Sequence, residues 1–170
     1  MKPRFLTVAG MIATAAVARL VPHPWNVTPV AAMALFGGVY FEDKFTAFAV
    51  PLIAMILGDL FLAFNPLFLL VYACFAATVV IGFWVKKHPG VGRIVMGSFM
   101  GSVLFYVVTN AGMWVESPLY AKTAAGLLQC YVMALPYFRN TAFGDLAYTV
   151  LLFGAFHLAT RAFPVLREAP

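Results

Sequence analysis

The run from Leu67 to Val85 contains no charged residue, and the run from Phe45 to Phe64 contains a single one, Asp59. A transmembrane α-helix needs about 20 consecutive, predominantly apolar residues. Stretches of this kind settle the solvent before any fold is considered. In water they would leave apolar surface that a chain of 170 residues cannot cover. The composition agrees: 64% of residues are hydrophobic and 10% charged, against about 45–50% and about 25% in soluble domains. Mean hydropathy is +0.93. These proportions exclude a soluble enzyme, a disordered tail and a nucleic-acid-binding domain. The lipid bilayer is the first partner of this chain.

Charged residues and Pro/Gly clusters divide the sequence into six apolar segments, at about 5–21, 28–41, 45–64, 67–85, 94–115 and 143–163. The expectation is an all-α polytopic membrane protein, a six-transmembrane-helix bundle in one domain covering 1–170. The second segment is short unless it reaches back into Pro22-His23-Pro24-Trp25-Asn26-Val27-Thr28-Pro29, which cannot form a regular helix. Residues 116–141 mix apolar positions with Lys122, Gln129, Arg139 and several prolines, and read as an amphipathic outer segment.

Orientation follows from the cations, because Lys and Arg mark cytoplasmic loops. With both termini cytoplasmic, the inner side holds Lys2, Arg4, Lys44, Lys86, Lys87, Arg93, Arg161 and Arg167, leaving Arg19, Lys122 and Arg139 outside. The net charge of +5 is then largely a topological signal. Met1 to Ala18 also carries the basic start, apolar stretch and Ala-x-Ala sites of a secretory signal, whose removal would leave five spans. The small-residue stripe Gly10, Thr14, Ala18 favours a retained, closely packed helix.

Several chemistries have no residues to carry them. There is no Walker-type phosphate loop and hence no ATP site by that route, no HExxH, no GxSxG and no CxxC. What remains is polar residues at membrane depth, which are costly there and point to function by default. Asp59 lies near the outer end of the third segment, Arg19 ends the first, and Asp145 opens the sixth. Arg19 or Arg139 could pair with Asp59 or Asp145 as a purely structural bridge. Asn140 or Thr141 reads as the N-cap of the sixth helix, with Asp145 near the positive end of its dipole. Cys74 reads either as a small buried hydrophobe or as a thiolate ligand for a soft metal. Tyr72, two residues before it, is expected on another side of the helix. Asn110 and Trp114 close the fifth segment on the outer side, and Cys130 reads as packing. His23, fixed between two prolines, reads as a loop histidine or as a ligand, and Trp25 as an interfacial anchor or a flat pocket wall.

These residues also form a pattern. Pro22-His23-Pro24-Trp25-Asn26-x-Thr28-Pro29-Val30, Phe36-Gly37-Gly38, Val50-Pro51-Leu52, Gly58-Asp59, Thr109-Asn110, Cys130-Tyr131 and Phe138-Arg139-Asn140-Thr141-x-x-Gly144-Asp145-Leu146 resemble a bacterial family of small six-helix membrane proteins. That family is similar to the substrate-binding S components of energy-coupling-factor (ECF) vitamin transporters. Within it, Cys74 resembles the cysteine of the solitary cobalamin-transporting (BtuM) type. The resemblance implies a bacterial inner-membrane importer of a vitamin, with cobalamin as transported ligand and Cys74 as ligand to its cobalt. A thiolate there would also allow decyanation of cyanocobalamin. An ECF energising module, or no partner at all, would complete the system. His23 as a second axial ligand is inferred from its type and rigid setting, not from the resemblance. The expected outward-opening pocket draws on residues 22–29, 64–74 and 116–141, with His23, Trp25, Asn26, Asp59, Tyr72, Asn110, Trp114, Tyr131 and Arg139 as ligand-binding candidates. Competing expectations are an S-component-like transporter for another micronutrient, a membrane enzyme, and a non-transport assembly subunit.

Overall fold

The computed structural model describes residues 3–22, 24–62 and 67–167. Among the described residues the secondary structure is all-helical, with six α-helices: α1 (Pro3–Ala18), α2 (Val30–Tyr40), α3 (Lys44–Leu62), α4 (Phe68–Lys87), α5 (Val91–Glu116) and α6 (Ala124–Ala162). A short 3-10 turn, Pro164–Leu166, follows. Four helices, α3 to α6, are long and apolar enough to cross a membrane, while α1 and α2 are shorter apolar helices. His23 and the turn between α3 and α4, including the expected end of the third segment, lie outside the described residues.

The short second segment is the centre of the molecule. A helix that is apolar all round belongs inside, and Ala32 through Val39 of α2 are all buried. It packs against each of the other five helices. The closest approach is to α4, where Gly38 meets Gly82. A Cβ at 38 would stand 2.3 Å from the Val79 carbonyl oxygen and 2.9 Å from the Gly82 Cα. Only backbone is there to meet it, so the crossing demands two glycines. Around α2 the core is aromatic, with Phe36 edge-on to Phe153 and Phe156. Because α2 touches protein on every side, its 11 residues need not match the bilayer thickness.

Residues 124–141, expected as an amphipathic outer segment, continue directly into the sixth apolar segment. α6 is one helix of 39 residues, roughly 58 Å at 1.5 Å per residue, about twice the hydrocarbon thickness. Its N-cap is Thr123, whose side chain accepts from the Gly126 N–H. Asn140 and Thr141 are therefore not N-caps, and Asp145 is not in a first turn. The sequence signal that misled was Asn-Thr followed by an acid, which here sits mid-helix; the Asn140 amide donates instead to the Trp25 carbonyl at 3.2 Å.

α5 and α6 form an antiparallel hairpin of uneven register. Near the loop, the Cys130 thiol approaches the Asn110 carbonyl; farther in, Thr149 donates to Ser98. From the first contact to the second, α5 advances 12 residues (110 to 98) and α6 advances 19 (130 to 149). The surplus, roughly 10 Å of helix, falls on the stretch containing Pro136, where a proline removes one backbone bond and permits a bend.

The cations segregate. Arg4 lies over Tyr40 and Phe156 and donates to the Leu166 carbonyl, Lys86 donates to the Phe41 carbonyl at 2.6 Å, and Arg4, Lys86 and Arg167 border one pocket. Arg4, Lys86 and Arg167, expected on one membrane face, thus share one end of the bundle. Arg19 and Lys122 belong to helix ends at the other.

Candidate ligand cavity

At the end away from the basic cluster the helices border a half-open cavity of about 250 Å³. All six helices or their connecting loops reach it: Arg19 after α1, Asn26 and Thr28 before α2, Asp59 of α3, Tyr72, Cys74 and Phe75 of α4, Phe105 of α5, and Thr141 and Asp145 of α6. Four of the sequence-derived candidates, Asn26, Asp59, Tyr72 and Cys74, meet here although they come from three separate segments.

Two acids in the wall have different surroundings. Asp59 is 7% exposed. It takes a hydrogen bond from Arg19 Nη2 at 2.7 Å, an ion pair whose partners are 11% and 10% exposed. The Tyr72 hydroxyl donates to its other oxygen at 2.8 Å. Arg19 Nη1 also donates to the Met55 carbonyl, while its Nε is buried without a partner. The structural pairing expected of Arg19 and Asp59 is therefore present, and Tyr72 joins it. Tyr72 and Cys74 both reach the cavity despite their i, i+2 spacing, because the hydroxyl extends to Asp59 while the thiol lies in the wall.

Asp145 is 3% exposed. The Ser102 hydroxyl donates to it at 2.6 Å, and Ser98 and Thr149 continue the polar contacts between α5 and α6. Ser102 is thus the partner of a buried acid. Asp145 was assigned a capping role on sequence grounds; its place in the cavity wall could have been suspected only from its cost at membrane depth.

Asn26 has φ 62, the left-handed conformation that Asn adopts more readily than most residues. It turns the chain over the cavity, and Gly144 of α6 lets the loop close in: a Cβ there would meet the Val27 Cα at 3.0 Å. Cys74 is 3% exposed and its thiol is free, as is that of Cys130.

A second cavity of about 320 Å³ lies where α6 takes its longer path beside α5. It shares Asn26, Phe105 and Thr141 with the first. Asn110 lines it, with its amide nitrogen donating to the Tyr106 carbonyl. The remaining candidates lie apart. Trp25 is 79% exposed and lines neither cavity, which leaves the interfacial-anchor reading. The Trp114 indole donates to the Ala121 carbonyl, and Lys122, over its ring, donates to the Trp114 and Ser117 carbonyls at the C-terminus of α5. The Tyr131 hydroxyl donates to the Val107 carbonyl. Arg139 is exposed on α6. Among the described residues no group of three or more His, Cys, Asp or Glu side chains could hold a metal ion.

No curated protein and no solved structure matches the chain. The family described as "Family of unknown function (DUF6580)" matches residues 1–166, and the chain belongs to it.

Proposed function

We propose that the protein is a bacterial inner-membrane transport protein that binds a vitamin-class micronutrient in the first cavity and carries it inward. All six helices form the membrane bundle, with both termini on the cytoplasmic side where the basic residues gather. One observation carries this reading: a half-open chamber of about 250 Å³ among the apolar helices, with apolar and aromatic walls and a few converging polar groups. Binding sites have this make-up. An assembly subunit has no use for such a chamber.

Cobalamin is the ligand implied by the resemblance to BtuM-type S components, and the place of Cys74 in the cavity wall supports a thiolate ligand to cobalt there. A corrinoid is larger than the first cavity. It would need the two cavities, which share three wall residues, to open into one. The volume of the first cavity favours a smaller micronutrient, which fits without rearrangement. The chain has no ATP-binding motif, so transport is energised by an ECF-type module or proceeds by equilibration and trapping of the product.

The test is purification in mild detergent followed by mass spectrometry of the released small molecules, and then uptake of the identified solute by proteoliposomes. Cobalamin is checked directly by corrin absorbance, with Cys74→Ser altering the spectrum if sulfur binds cobalt. Recovery of no solute, with no uptake, refutes the transport reading; a spectrum unchanged in Cys74→Ser refutes coordination.

A further inference from the structure

The cavity wall holds three ionisable side chains, Arg19, Asp59 and Asp145. Arg19 and Asp59 neutralise each other at 2.7 Å. Asp145 has no such partner: among the described residues no Lys, Arg or His stands within ion-pair distance of it, and its hydrogen bond comes from the neutral Ser102. A carboxylate removed from water without a counter-charge is destabilised by several kcal/mol. The bundle nevertheless keeps this one at the cavity, in a region where any ionisable side chain is expensive.

The rest of the wall complements the acid. Tyr72, Phe75 and Phe105 come from α4 and α5 and line the same space. Aromatic faces attract cations, and the attraction grows as the site is desolvated. A lone carboxylate together with several aromatic rings is how proteins recognise ammonium groups that water holds weakly. An anionic solute would be repelled by an ionised Asp145, and a neutral one would leave that charge uncompensated, whereas a bound cation favours the ionised form.

We propose that the solute taken by this cavity is a small organic cation, an amine or quaternary ammonium compound, with Asp145 supplying the counter-charge and the aromatic residues the surrounding wall. The proposal rests on the reading of the cavity as a solute-binding site, and names the class of solute. The ion pair between Arg19 and Asp59 then acts as a neutral part of the wall, and Ser102 holds the Asp145 carboxylate in position.

The test uses the full chain in lipid nanodiscs, with choline as probe and 3,3-dimethylbutan-1-ol, its uncharged isostere, as control. Binding is read by isothermal titration. Choline is expected to bind at least about tenfold more tightly than the alcohol. Asp145→Asn, which keeps the size and hydrogen-bonding capacity of the side chain, removes that preference, and Asp145→Glu retains it. Equal binding of the two probes by the native protein, or a choline preference that survives Asp145→Asn, overturns the proposal. Recovery of an uncharged or anionic co-purified solute overturns the cation while the solute-binding reading stands. Failure of both probes to bind, with no co-purified solute, overturns both.

Discussion

Removing Arg19 tests whether the ion pair in the cavity wall holds the bundle together or merely accompanies it. Arg19→Gln leaves the Asp59 carboxylate with the Tyr72 hydroxyl alone, 7% exposed and without a cation. Breaking a buried pair from one side costs about 3–5 kcal/mol. The partners retain about a tenth of their exposure and adjoin a cavity that water can enter, so about 2–3 kcal/mol is the appropriate figure. Asp59→Asn costs a similar amount by stranding the guanidinium. The double variant removes both charges at once and should lie within about 1 kcal/mol of the native protein, a coupling of about 3 kcal/mol or more between the two sites. A thiol-reactive fluorogenic maleimide provides the assay, because Cys74 and Cys130 are 3% and 1% exposed and react on unfolding. At about 2–4 °C per kcal/mol, each single variant melts roughly 5–10 °C lower and the double variant recovers most of that. Additive single effects, within about 0.5 kcal/mol, would refute the inference that the two charges stabilise each other.

Two further outcomes follow from local geometry. Gly38→Ala forces a methyl group against the Val79 carbonyl and the Gly82 Cα; with only backbone to yield, the cost exceeds about 3 kcal/mol, and monodisperse protein should be lost in size-exclusion chromatography, which a normal yield and melt would contradict. Thr123→Ala removes the cap on the Gly126 N–H and should lower stability by about 1 kcal/mol, whereas Thr141→Ala removes only a hydroxyl that donates back to the Tyr137 carbonyl within α6 and should cost less; equal effects in the maleimide melt would contradict the continuous helix.

Much of the fold was legible because lipid imposes simple rules. The apolar runs and the breaks at charges and prolines located all six helices, and the cations marked one end of the bundle. Failure came where two signals could be read the same way. Arg139, Asn140 and the nearby prolines made 116–141 look like a surface segment, yet a helix tolerates one internal proline when its neighbour allows a bend, and Pro136 lies in the stretch where α6 takes a longer path than α5. Likewise α2 is too short for an ordinary span, and its 11 residues are accounted for by burial among the other helices.

The site was legible residue by residue but not as a set. Asp59, Tyr72, Cys74 and Asn26 could be selected because polar or reactive groups at membrane depth are few. Trp25, Trp114, Tyr131 and Arg139 were equally eligible by type, and three-dimensional placement alone separates them from the cavity. The two acids make the point most sharply. In the sequence, Asp59 looked functional and Asp145 looked like a capping residue. In the structure both acids line the cavity: Asp59 is neutralised by Arg19, forty residues away in the chain, while Asp145 retains an uncompensated carboxyl there. No local pattern encodes which acid receives the single nearby arginine. That choice is made by the crossing of α1 with α3, and it leaves the remaining acid as the group with electrostatic attraction still to offer a ligand.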